Sequence, residues 1–373
     1  MFNRAPSQAI NLESIEALRM ATADLFALTD TTMDWPQPGH VRFRGYFLCD
    51  LADCYDELRR RFERIGFTPI IRQDGEAVAV IAQPVVYDPP GSNWIINLVL
   101  FLATVASTLF VGSINEVQGV DALINGLPGS LLEGLPFSFS LLLILGAHEL
   151  GHYFAARYHD VPVTLPYFIP FPSIIGTMGA FIRLKAPIKN RRALLDIGAA
   201  GPLAGMVFAV PVLIIGLLTS PVSPTSGSYI QEGNSILYGL AKLLIYGQWL
   251  PNNGLDVHLN QVAWAGWVGL FVTGLNLIPV GQLDGGHVAY VLFGQKARRF
   301  FWPAIFGLIA LAVLAGTATW WVWVALLFFF GRSYAEPLDD VTRLDPQRRW
   351  IAIFTLILFF LVFVPTPLTI VSP

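Results

Sequence analysis

Ala147-His148-Glu149-Leu150-Gly151-His152 sets two imidazoles four residues apart with a carboxylate beside the first. On a helix, positions i and i+4 stack on one face, so His148 and His152 can hold one metal ion together. Glu149 lies one position round, where it can reach a metal-bound water as general base. Zinc suits two imidazoles plus a carboxylate and leaves an open position for water. In a chain of 373 residues with six histidines, a chance match is expected on the order of 0.01 times. The motif also falls inside an apolar stretch, where a central charge costs roughly 2.5–3.5 kcal/mol on insertion scales. The competing reading is a buried polar network that ties helices together. Intramembrane ionisable groups favour function over that reading.

One protein ligand remains to be found. A later apolar stretch offers Asn276-Leu-Ile-Pro279-Val-Gly-Gln-Leu283-Asp284-Gly285-Gly286-His287. Asp284 is the only acid between Asp256 and Glu336, and a lone intramembrane Asp calls for a cation. His287 follows three residues later. As a fourth protein ligand it would close the open position, so it is read as supporting the site or the helix packing.

The elements that must position these groups are hydrophobic spans. They are read as Trp94–Ser113, Phe137–Tyr158, Leu194–Thr219, Val262–Phe293, Phe301–Leu314, Thr319–Gly331 and Trp350–Leu368. A spanning helix needs about 20 apolar residues. The fifth and sixth are short, so the expected count is six or seven. Between the second and third lie Leu165-Pro-Tyr-Phe-Ile-Pro-Phe-Pro172 and Ile174–Ile182, greasy but broken by Pro and Gly. Irregular backbone at membrane depth survives only where protein or a water-filled cavity satisfies it. This stretch is expected to be a re-entrant loop that lines the site. Gly201-x-x-x-Gly205 reads as a helix-packing surface.

Lys and Arg set the orientation. Stretches 114–135 and 221–261 hold a single basic residue, Lys242. Arg183, Lys185, Lys189, Arg191, Arg192, Lys296, Arg298, Arg299, Arg343, Arg348 and Arg349 fall on the other side. The positive-inside rule makes that second side cytoplasmic. The second and fourth spans then run the same way. His152 lies about six residues, and Asp284 about nine, before the cytoplasmic ends, a difference of about one helical turn. The two can share a metal.

Composition fits this picture. The chain is 54% hydrophobic and 13% charged, with a mean hydropathy of +0.57; soluble domains carry about 25% charged residues. A net charge of -3 gives no basic face for nucleic acid. Residues 1–93 differ in character and hold nine of the 23 basic residues. Val41–Leu48 alternates like a strand. Asp50–Ile65 has a helical apolar face at Leu51, Tyr55, Leu58 and Phe62, stopped by Gly66. Phe67–Arg72 and Ala77–Ala82 form a hairpin through Gln-Asp-Gly. Asp88-Pro-Pro-Gly91 links this α+β unit to the membrane part. Cys49 and Cys54, five apart, are read as two small core residues in a reducing compartment. Residues 1–35 show neither a secretory signal nor transit-peptide character.

His148-Glu149-x-x-His152 with Asn276-x-x-Pro279-x-x-x-Leu283-Asp284-Gly285 resembles the site-2 protease family, over roughly residues 94–293. Gly176-Thr-Met-Gly179 and Gly201-Pro-Leu-Ala-Gly205 resemble further features of that family. Lys189-Asn-Arg-Arg-Ala-Leu-Leu-Asp196 before Gly201-Pro202 is most similar to its cyanobacterial and chloroplast branch. That branch often reads Asn-Pro-Asp-Gly where this chain reads Gln-Leu-Asp-Gly. The resemblance implies His148, His152 and Asp284 as ligands of one Zn2+ per chain and Glu149 as the base. It also implies that Asn276 helps hold substrate or the oxyanion, against the plain reading of an Asn bonding between helices.

The expected fold is therefore an α-helical polytopic membrane protein with a re-entrant loop and a small N-terminal α+β domain. Its parts are residues 1–93, a protease core at 94–293 and additional helices at 294–373. The expected activity is hydrolysis of peptide bonds in or near transmembrane segments of membrane proteins. The expected setting is a cell membrane, bacterial and cytoplasmic, with the N-terminal domain and active site toward the cytoplasm. A midplane metal-binding transporter would show inverted repeats, and no half-to-half match is visible. A catalytically silent scaffold would have lost Glu149 or a ligand. A soluble-type zinc peptidase on an anchor would carry the motif outside the span. Substrate identity, oligomeric state and the role of the N-terminal unit are not written in the residues.

Overall fold

The computed structural model describes residues 11–371 apart from 90, 118–125, 127–128, 226, 228 and 317. Residues 1–10, part of the stretch judged for a leader, and Pro90 of the linker lie outside the described residues.

The N-terminal unit begins with α1 (Leu12–Thr22) and β1 (Phe26–Met33), neither of which the apolar pattern had announced. Strand β2 (Val41–Phe47), helix α2 (Leu51–Ile65) and the hairpin β3 (Thr68–Asp74) and β4 (Ala77–Gln83) follow. The sheet is antiparallel in the order β1-β2-β4-β3. Helix α2 starts where the Asp50 carboxylate accepts from the Ala52 N–H, and it ends at Gly66 in the left-handed region, where glycine carries no Cβ penalty. Its buried stripe of Leu51, Cys54, Tyr55, Leu58 and Phe62 packs on the sheet.

Cys49 and Cys54 correct the sequence reading: they form a disulfide, with Cα atoms 6.4 Å apart. The chain turns at Asp50 as α2 begins, which brings the two side chains face to face within bridging range.

The free edge of β3 is not left open. Ile71 N–H donates to Leu338 O at 2.8 Å, and Asp340 N–H to Ile71 O at 3.2 Å. The same segment donates from Leu338 to Ile188 O at 2.9 Å and from Asp339 to Lys189 O at 2.8 Å. Residues 338–340 thus form a strap between the N-terminal sheet and the chain that follows the broken apolar stretch. Leu338 is buried in the N-terminal core, and Lys189 pairs with Asp56 of α2.

Among the described residues four helical stretches are long and apolar enough to cross a membrane: Trp94–Ile114, Leu135–Tyr158, Arg191–Leu218 and Asp284–Ala315. The first belongs to α3 (Trp94–Val117); the next two are α4 (Leu135–Tyr158) and α5 (Arg191–Leu218). Leu98, Leu102, Phe154, Val207 and Ile215 lie exposed on them, as suits side chains that face lipid rather than water. Between α4 and α5 the broken stretch forms a β-hairpin, β5 (Tyr167–Pro170) and β6 (Thr177–Phe181). On the far side of the molecule β7 (Val222–Pro224), β8 (Tyr229–Glu232), α6 (Ile236–Tyr246) and β9 (Leu255–Val257) fill the long loop.

The stretch Val262–Phe293, expected as one span, is broken. Helix α7 (Gln261–Asn276) ends at Leu277, and α8 (Asp284–Phe293) begins after a seven-residue loop. Pro279 lacks the N–H that a helix needs, and Gly281 takes a positive φ of 64°. A 3-10 turn (Gly294–Phe300) joins α8 to α9 (Phe301–Ala315), and α9 packs back against Leu275 and Ile278. Helices α10 (Ala318–Phe330) and α11 (Pro346–Val362) follow. The last stretch, expected to run helical to Leu368, instead ends in β10 (Leu368–Val371), which pairs with β8.

Candidate metal centre

Helix α4 buries His148, Glu149 and His152 in its middle turns, at 4%, 5% and 7% exposure. Helix α5 can approach so closely because its facing residues are small. A Cβ on Gly201 would lie 2.0 Å from His152 Nε2, and one on Gly205 would lie 3.2 Å from His148 Cβ. The same helix meets α4 at Gly151, where a Cβ would lie 2.5 Å from the Ala200 carbonyl oxygen.

Asp284 arrives from the opposite side as the first residue of α8. The break between α7 and α8 turns the chain so tightly that a Cβ on Gly285 would lie 1.9 Å from Leu277 O. A continuous helix would have presented Asp284 from a straight face. The broken one delivers it from a helix end.

The three candidate ligands meet. His148 Nε2 lies 3.2 Å from Asp284 Oδ2, and His152 Nε2 lies 3.4 Å from Asp284 Oδ1. The two Nε2 atoms are 3.1 Å apart. Ligand atoms at roughly 2.0–2.1 Å from a tetrahedral zinc stand about 3.3–3.4 Å apart, so the set fits the edges of that tetrahedron. Ile197 O accepts from His152 Nδ1 at 2.7 Å. The carbonyl can only accept, so Nδ1 carries the proton and Nε2 turns its lone pair toward the metal position. Among the described residues this is the one cluster of three His, Cys, Asp or Glu groups whose ligand atoms all lie within 4.8 Å of one another. His287 does not belong to it.

Around this triangle stand the groups that could do chemistry. Glu149 Oε1 is 4.0 Å from His148 Nε2. Asn276, the last residue of α7, brings Nδ2 to 3.5 Å from His148 Nε2. A cleft of about 220 Å³ opens beside them. One wall is Ala180, Phe181, Ile182 and Leu184; the other is Gln282, Leu283 and His287. Among the described residues β6 pairs with β5 alone, and Ala180 and Phe181 at its end line this cleft.

Sequence reasoning brought His148, Glu149, His152, Asp284 and Asn276 together and missed what holds the hairpin. Asn97 of α3 donates through Nδ2 to Leu165 O at 2.8 Å and Pro166 O at 3.0 Å. Ser107 Oγ donates to Gly176 O at 2.6 Å. A buried amide early in an apolar span was the available signal. At the basic end, Asp196 of α5 accepts from Arg348 of α11 at 2.6 Å and lies 2.8 Å from His159 Nε2, past the end of α4. Three helices are thereby pinned below the metal position.

Comparison with known proteins places the chain among zinc metalloproteases by similarity. Residues 136–315 match the family model of peptidase family M50. The chain is 31% identical to the probable zinc metalloprotease EGY2, chloroplastic, of Arabidopsis thaliana, over 97% of this chain and 66% of that protein. The protein of the same name from Oryza sativa subsp. indica is 27% identical, over 97% of this chain and 70% of its own length. The probable zinc metalloprotease EGY1, chloroplastic, of Arabidopsis thaliana is 30% identical, over 73% and 53%. The chain therefore spans about half to two thirds of the length of these relatives. No solved structure matches.

Proposed function

The chain belongs to peptidase family M50, and on that premise we propose that it is an intramembrane zinc metalloprotease that cuts peptide bonds within or beside transmembrane segments of other proteins. The observation that carries the reading is the triangle of His148, His152 and Asp284, with edges of 3.1–3.4 Å, inside helices long enough to span a bilayer.

His148, His152 and Asp284 hold the zinc. When bound, zinc supplies a Lewis acid for the scissile carbonyl and lowers the pKa of the attacking water. Glu149 takes the proton of that water and delivers it to the leaving amine. Asn276 turns its amide N–H toward the developing oxyanion. A peptide bond inside a helix is shielded, so the substrate must unwind before it is cut. The unwound segment adds as a strand to the free edge of β6, whose main chain supplies partners at membrane depth.

Substrates are membrane proteins, and the bilayer is the working solvent; nucleic acid is not a partner. The basic side, with the N-terminal unit and the nearer approach to the metal, faces the cytoplasm of a bacterial cell. The positive-inside distribution of Lys and Arg supports that orientation.

The test pairs the purified wild type with Glu149→Gln in detergent, with metal content and cleavage of a panel of single-span substrates as readouts. About one zinc per chain in both, with cleavage by the wild type alone, is the expected result. No zinc and no cleavage after reconstitution with metal would return the chain to a scaffold role.

A further inference from the structure

A strand added to β6 satisfies only one of its own edges. In water the far edge would be solvated. At membrane depth each orphaned N–H or C=O costs several kcal/mol. The wall opposite β6 must therefore offer partners.

On that wall the Gln282 amide already donates to Ser333 Oγ at 3.0 Å, and one imidazole has a ring nitrogen to spare. His287 lines the cleft beside Gln282, Leu283 and Asp284. Its Nδ1 is buried without a hydrogen-bond partner, and it stands outside the cluster that fits the metal. It lies one helical turn beyond Asp284 on α8, on the same face. Helix α5 makes room for it as it does for the two ligands: a Cβ on Gly198 would lie 2.9 Å from His287 Cβ. Gly198, Gly201 and Gly205 thus face His287, His152 and His148 in turn. Three residues of helix are about 4.5 Å, so His287 sits that far from the His152 level, toward the basic end of α5. An extended peptide advances about 3.3 Å per residue. The imidazole is then level with the backbone one or two residues from the scissile bond.

We propose that His287 is a substrate-binding residue, its imidazole hydrogen-bonding the far edge of the extended substrate backbone one or two residues from the cut, on the basic side of the membrane. The assignment rests on the protease reading. It gives the cleft two polar rails, the β6 main chain and one histidine, with the metal position between.

The test uses the full-length chain in nanodiscs and a single-span model peptide with an Asn-Pro helix break in the half nearer the basic face. Zinc-dependent cleavage by the wild type tests the protease reading by itself. His287→Leu is expected to keep one zinc per chain and raise KM roughly tenfold, the effect of one hydrogen bond, with kcat within about twofold. His287→Asn, whose amide falls near the Nδ1 position, is expected to return KM to within about threefold of wild type. A backbone ester placed one or two residues from the cut is expected to weaken the peptide roughly tenfold for wild type and hardly at all for His287→Leu. Loss of zinc in His287→Leu, an unchanged KM, or the same ester effect in both proteins would overturn the assignment. If the wild type cleaves nothing, the protease reading fails, and peptide affinity for Glu149→Gln with and without His287→Leu still decides on His287.

Discussion

Gly201 of α5 and His152 of α4 approach so closely that a Cβ on the glycine would lie 2.0 Å from the imidazole Nε2. That nitrogen is the one turned toward the metal position. Gly201→Ala must therefore push the ring away, at a cost of about 1–3 kcal/mol for overpacking. The expected outcome is a chain that still folds in detergent but binds zinc and cleaves at a small fraction of wild type. Gly205→Ala is the control. Its Cβ would meet His148 at 3.2 Å, a gap that a slight shift relieves, so zinc content should fall less. Metal analysis of both variants beside wild type checks the order, and equal zinc in all three would refute it.

This pair also shows what the residues alone could say. Gly201-x-x-x-Gly205 was legible as a packing surface. That the space it leaves belongs to the two histidines of the candidate metal site was not, because the phase of α5 against α4 is a tertiary fact. The candidate ligands themselves were legible, since His148, His152 and Asp284 are ionisable groups where lipid forbids them. The break at Leu277–Leu283 was hidden for the opposite reason: Ile278, Pro279 and Val280 keep the stretch apolar, and a hydropathy reading passes over them. Strand β1 was missed because Ala27, Thr29 and Asp30 blur its alternation. The strap lay beyond reach because Ile71 and Leu338 are far apart in the chain and joined by backbone bonds.

Glu149→Gln separates base from ligand. Its carboxylate sits beside the triangle rather than at a corner, 4.0 Å from His148 Nε2. The variant should keep wild-type zinc and lose about 10²–10⁴-fold in kcat, the usual worth of a general base. A variant that loses its zinc would make Glu149 a ligand.

Asp284→Ala and Asn276→Ala should part company. Asp284 contributes one oxygen to each histidine contact, so its loss should weaken zinc binding by more than the roughly 10–100-fold typical of supporting groups. Asn276 approaches His148 only to 3.5 Å. Its alanine variant should retain zinc and lose about 10²–10³-fold in kcat, as for an oxyanion donor. An Asn that merely joined helices would lower the melting temperature and leave kcat intact. Zinc titration and kinetics on the two variants distinguish these outcomes.

Asn97 is the hairpin's anchor on α3, both amide hydrogens spent on Leu165 O and Pro166 O. Asn97→Leu leaves those carbonyls without that partner inside the membrane, at about 1–3 kcal/mol for the unsatisfied groups. Zinc should stay, because no ligand moves. Hydrogen exchange at β6 should quicken and KM should rise, because the edge proposed to receive substrate is no longer held. Unchanged exchange at Thr177–Phe181 would show that Ser107 alone secures the hairpin.

The strap makes the last connection. Leu338 is 4% exposed and sits in the N-terminal core, while its neighbours bond Ile71 on one side and Lys189 on the other. Leu338→Ala removes a buried side chain, which costs about 2–5 kcal/mol. The loss should fall on the docking of the N-terminal sheet, not on the metal. Limited proteolysis should then cut in the 84–93 linker sooner than in wild type, with zinc content unchanged. Because residues 188–190 follow the β5–β6 hairpin after the short stretch 182–187 and share the strap, cleavage should slow as docking loosens. If cleavage holds steady while the linker opens, the strap serves the N-terminal unit alone and transmits nothing to the hairpin.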